Sequence, residues 1–175
     1  MDGLITALLW LAALFLVFTY VSWRAGRLDR LHARVDLARA ALDAALVRRA
    51  AVALELAASQ LLDPATSLLL AAAAHAARTA DAESREFAES DLSRALRAAV
   101  DQPGLRATLD GRGAPLFEEL DAAVQKVMFA RRFSNDAVSA TRIARRRILA
   151  RLLPLAGHAP MPEFFEIDDV PPMLD

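Results

Sequence analysis

GLITALLWLAALFLVFTYVSW, residues 3–23, decides how the rest of the chain is read, because it is 21 consecutive residues without a charge. Wound as an α-helix it is about 31 Å long at 1.5 Å per residue, close to the thickness of a bilayer's hydrocarbon core. Leu4, Ile5, Leu8, Leu9, Leu11, Leu14, Phe15, Leu16, Val17, Phe18 and Val21 each favour insertion by roughly 0.3–0.6 kcal/mol. Tyr20 and Trp23 stand at one end, where amphipathic rings settle at the membrane interface, and Arg24 and Arg27 follow directly. No basic segment precedes the apolar run, and TYVSWRAG places bulky groups where a signal-peptidase site needs small ones. The expectation is a retained anchor, residues 1–23. Because Arg24, Arg27, Arg30, Arg34 and Arg39 all follow the span, the positive-inside rule puts the N-terminus outside and the remainder in the cytoplasm, at a cell (inner) membrane.

Beyond the anchor the pattern becomes amphipathic. Leu28, Leu31, Val35, Ala38, Leu42, Ala45, Val52 and Leu56 recur every three or four residues, with one gap at Arg49, which is the signature of a helix with one buried face. The helix continues from the span without a breaker until LDPAT, where Asp63 is suited to be an N-cap and Pro64 a first helical residue. An alanine-rich second helix is expected over 64–79. Asp81 and Ser84 then offer caps for a third, ending near Val100. DQPGLRATLDGRGAP, residues 101–115, reads as a loop, and a last helix is expected over 115–153. The fold class is all-α, a single transmembrane helix running on into an elongated antiparallel bundle (24–153), followed by a Pro-rich acidic tail (154–175). Lengths suggest three rods, the two middle helices lying end to end opposite the long ones; a compact four-helix bundle is the alternative.

The composition agrees. Of 175 residues 55% are hydrophobic but only 6% aromatic, so the core is built from Ala and Leu at close helix–helix contacts. No cysteine is present, which excludes disulfides and thiolate chemistry. A net charge of -1 gives no global attraction to polyanions.

Several segments occur in a telling order: the apolar start, LVRRA at 46–50, SDLSRALRAAVDQPGLRA at 90–107, LFEELDAAVQKVMFARRFSNDAV at 116–138, and PEFFE at 162–166. Together they resemble the LemA family of bacterial membrane-anchored helical proteins, over most of the chain. The resemblance implies a long helical bundle behind one membrane helix. It brings no agreed biochemical activity with it.

The candidate interaction residues are Arg131, Arg132, Phe133, Asn135 and Asp136 on the last helix, with Phe164 and Phe165 in the tail. Helical spacing puts Arg131 and Asn135 on one stripe and makes Arg132 and Asp136 an i, i+4 pair. Asn135 is expected to bond a neighbouring helix and set register. The cluster reads as a docking surface with no catalytic residue. His32, His75 and His158 have no ligand-like spacing, and phosphate loops and nucleophile elbows are absent. Glu118 and Glu119 are neighbours whose side chains diverge by about 100° on a helix. No cofactor or metal is implied.

Arg131, Arg132, Arg142, Arg145, Arg146, Arg147 and Arg151 form a basic end, expected to be neutralised by Glu163, Glu166, Asp168 and Asp169 or by the acidic run Asp81, Glu83, Glu86, Glu89 and Asp91. Phe164 and Phe165 are expected to dock on the bundle and VPPMLD to stay loose. Function is therefore read as a non-enzymatic membrane-tethered scaffold or adaptor engaging a membrane or envelope protein, with self-association compatible. The second reading is an anionic-lipid or nucleic-acid module acting through the arginine end; nucleic acid is disfavoured because stacking aromatics are missing apart from Phe133.

Overall fold

The computed structural model describes residues 2–102, 113–146 and 160–172. It is all-helical among those residues, with α1 (Asp2–Ala58), α2 (Pro64–Thr79), α3 (Arg85–Val100) and α4 (Ala114–Arg146). Residues 147–153, expected to complete the last helix, lie outside the described residues. The chain divides into two compact units, Met1–Leu37 with Asp136–Glu163, and Ala38–Asn135 with Phe164–Asp175, so two of the three boundaries cut through long helices and the third falls in the tail.

In the first unit α1 carries the apolar run. Residues 3–20 are exposed, the large side chains ranging from Tyr20 at 43% to Leu4 at 73%, while Val21 is half-buried, and the helix is long and apolar enough to cross a membrane. Further along, Leu28 and Val35 are buried, as are Ala137, Val138 and Thr141 of α4. The Thr141 hydroxyl donates to the Ala137 carbonyl at 2.9 Å, the usual way a mid-helix threonine satisfies itself.

In the second unit α1 resumes its apolar stripe and ends at Ala58. Gln60 takes a left-handed conformation (φ 61°), and the Ser59 hydroxyl donates to the Leu56 carbonyl at 2.7 Å, closing the last turn. The Asp63 carboxylate then caps α2, accepting from the amides of Ala65 and Thr66 at 2.9 and 3.1 Å, with Pro64 at the first turn as expected. Hydrogen bonds from Thr66 and then Gln102 depress the Asp63 pKa to about 2. Ser84, expected to cap α3, makes no side-chain cap; its own amide and hydroxyl instead donate to Asp81.

α2 and α3 do not lie end to end. They pack side by side, and Gln102, just past α3, donates its amide to Asp63 at 2.8 Å and to the Thr66 hydroxyl at the start of α2. The pair is an antiparallel hairpin, so the three-rod arrangement is wrong. Length matching misled because helix length does not encode which helices touch. The core of this unit draws on four helical segments: Val52 and Leu56 of α1, Leu70 and Ala74 of α2, Leu92 and Leu96 of α3, Phe117 and Leu120 of α4. Gly113 is required by a close approach, since a Cβ there would lie 3.0 Å from the Phe117 ring and 3.1 Å from Leu61.

Candidate functional site

The gap at Arg49 in the apolar stripe of α1 is filled by Arg49 itself. It is 2% exposed, as is Glu89 of α3. Its Nη2 donates to the Glu89 carboxylate at 2.7 Å and to the Glu89 carbonyl at 3.1 Å, and Nη1 donates to the Ser93 hydroxyl at 2.9 Å. Nε is buried without an acceptor. Glu89, expected among the acids that could neutralise the basic end, is instead the partner of Arg49. A guanidinium this deep needs a carboxylate opposite it, and α3 supplies one at a position whose neighbours Glu86 and Asp91 hid its burial.

The more open arrangement is a groove between α3 and α4 filled by the tail, residues 164–172. An extended segment has N–H and C=O groups with no ladder to satisfy them; here helical side chains take that part. Asn135 donates its amide to the Phe165 carbonyl at 3.1 Å and accepts from the Phe165 amide at 2.9 Å, so one side chain clamps both backbone groups of one residue. Glu86 accepts from the Glu166 amide at 2.9 Å, the Ser90 hydroxyl from the Asp168 amide at 3.1 Å, and Arg97 donates to the Val170 carbonyl at 2.9 Å. Asn135 was expected to bond another helix; its partner is the tail.

Successive side chains of an extended segment alternate in direction. Phe165 and Ile167 accordingly pack on Leu42, Ala45, Leu46 and Val127, while Phe164 stays 40% exposed and Glu166 is exposed. The expected phenylalanine pair is thus split, with Phe165 inside. Two arginines hold the next two acids. Arg97 meets both Asp168 oxygens at 3.0 and 2.5 Å, and Arg131 reaches Asp169 through Nε at 2.8 Å. These pairs are 18–30% exposed. VPPMLD is not loose as far as Pro172, which is buried; its last three residues lie outside the described residues.

The groove is a site for recognition of a backbone and two carboxylates. Of the expected residues it gathers Arg131, Asn135 and Phe165. Arg132 and Asp136 are exposed and, among the described residues, form no ion pair with each other, because an exposed i, i+4 pair gains too little to fix two side chains. Phe133 is 45% exposed. The residues that sequence reasoning missed are Glu86, Ser90 and Arg97 on α3. The signal for the tail was there in FEID, an apolar–polar–apolar alternation of period two. Among the described residues no cluster of His, Asp and Glu is placed to hold a metal ion.

Two results are expected here. Phe165→Ala should lower stability by about 1–2 kcal/mol, since Phe165 is part-buried, whereas Phe164→Ala should change it little; chemical denaturation checks both. The Asp168 pKa is lowered, chiefly by the hydrogen bonds from Arg97. A depressed carboxylate stabilises fully above its ordinary value near 3.8 and loses that contribution as pH falls through its lower folded value. Amide hydrogen exchange over 164–172, corrected for the intrinsic pH dependence, should therefore lose protection below about pH 4. Protection unchanged to pH 2 would remove Asp168 from the latch.

No family model matches the sequence, and neither the curated proteins nor the solved structures contain a match to this chain.

Proposed function

We propose that the protein is a single-pass membrane-tethered helical scaffold or adaptor that engages another membrane or envelope protein. The observation that carries this reading is the apolar face of α1. Leu8, Leu9, Trp10, Leu11, Leu14, Phe15, Leu16 and Phe18 are 63–72% exposed around the whole circumference of the helix, and a helix apolar all round needs a hydrocarbon or protein surrounding. Tyr20 and Trp23 flank it on the side where arginines begin, which supports an inner-membrane anchor with the bundle in the cytoplasm. The LemA-like order of segments supports the same reading.

The bundle supplies the adaptor surface through the tail groove. Against the lipid or nucleic-acid reading, Arg131 is committed to Asp169 and Arg145 donates to the Pro160 carbonyl at 2.8 Å; Arg147 and Arg151 lie outside the described residues. Carbonate extraction should leave the protein in the membrane fraction, and a cysteine replacing Met173 should be shielded from an impermeant thiol reagent in intact cells. Crosslinking and pull-down from native membranes should recover a protein with the full chain that an anchor-only control does not. Recovery of equal material by the control would sink the adaptor reading.

A further inference from the structure

We propose that the α3/α4 groove is a binding site for an extended acidic segment of a partner protein, and that the chain's own tail is its resident occupant. The proposal rests on the adaptor reading and names the chemistry of the partner.

The resident segment defines what the groove reads. Five backbone groups are held by side chains, namely the amides of Phe165, Glu166 and Asp168 and the carbonyls of Phe165 and Val170. Every residue but proline has both groups, so this part of the recognition asks only that no proline fall at the three amide positions. Side-chain demand falls on two apolar residues at i and i+2, where Phe165 and Ile167 sit on the bundle, and on two consecutive carboxylates for Arg97 and Arg131, with Pro172 buried beyond them. The motif is apolar, any residue, apolar, acid, acid. Helices present the groove, so no strand edge is needed and the bundle stays intact whether the groove is filled or empty.

The contacts also suit exchange. Both ion pairs are reachable by solvent, and among the described tail residues 164–172 Phe165 and Ile167 are part-buried against the bundle and Pro172 is buried. A segment held this way opens locally well before the bundle unfolds. Competition is unequal, because a tethered segment has an effective concentration of order millimolar. A free segment that binds at about 10–100 μM would then be weakened roughly 10- to 100-fold by the resident tail.

The test uses the full chain in lipid nanodiscs and a fluorescein-labelled peptide of residues 160–172. Asp168→Arg with Asp169→Arg should repel Arg97 and Arg131 and release the tail without touching the groove; hydrogen exchange reads the release and circular dichroism the intact helices. Fluorescence anisotropy should show the peptide binding this variant at least tenfold more tightly than the wild type. Adding Asn135→Leu, or changing both peptide aspartates to Asn, should remove that binding. A tail that stays protected in the double-arginine variant, a released variant that gains no affinity, or binding that survives Asn135→Leu overturns the proposal. A tail photocrosslinked into a second copy's groove assigns the site to self-association and overturns the partner. Peptide binding without any protein recovered from native membranes fails the adaptor reading alone.

Discussion

Leu11→Arg combined with Phe15→Arg is expected to take the protein out of the membrane. Each exchange replaces a residue that favours insertion by about 0.5 kcal/mol with one that opposes it by about 3 kcal/mol, so the pair shifts insertion by roughly 7 kcal/mol. The eleven apolar residues of the span together favour insertion by only about 3–7 kcal/mol. The balance therefore reverses. Arginine is a good helix former, so helicity should be retained and the effect confined to partitioning. Flotation with liposomes checks it: the wild type should rise with the lipid and the variant should remain at the bottom of the gradient. A variant that still floats and still resists carbonate would mean that α1 is covered by protein, and the anchor would fall with it.

That α1 is long and apolar enough to cross a membrane was the property most legible in sequence, since it depends on composition summed over 3–23 and needs no tertiary partner. Helix limits were legible for a related reason. The Asp63 cap and Pro64 act within one turn, and the expected second helix agrees with α2 at both ends. What local chemistry could not decide was which helices touch. The hairpin of α2 and α3 is fixed by Gln102 meeting Asp63 and Thr66 across 36–39 residues, a contact that neither periodicity nor length encodes.

The groove was half legible. Arg131 and Asn135 could be placed on one stripe because helical geometry is fixed, yet their partners are 30–38 residues away in a segment without helical period. An extended tail leaves no amphipathic signal over the windows in which helices are read, and only the FEID alternation hinted at a bound strand. The basic end raised the same difficulty in another form, since neutralisation by the tail could be expected in general but not as Arg131 with Asp169, or with Asp168 taken by Arg97 instead.

Arg49 shows why a break in a pattern carries information. A stripe that is apolar at every position except one points to a buried charge, and a buried charge demands an opposite one. Arg49→Met is therefore expected to cost about 3–5 kcal/mol, because it leaves the Glu89 carboxylate 2% exposed and without its cation. For a chain of this size that lowers the melting temperature by roughly 6–20 °C. Glu89→Leu alone should be as damaging, stranding the guanidinium instead. The double variant Arg49→Met with Glu89→Leu should recover most of the loss. Desolvating both ions is costly, Nε is already without an acceptor, and apolar replacement of a buried pair is often neutral or stabilising. Thermal melts of the three variants in one detergent form a double-mutant cycle. If the double variant is no more stable than the singles, the pair sets the register of α1 against α3 and its value is not electrostatic compensation alone. If Arg49→Met melts within about 2 °C of the wild type, corresponding to less than about 1 kcal/mol, the buried pair contributes nothing that a methionine cannot replace.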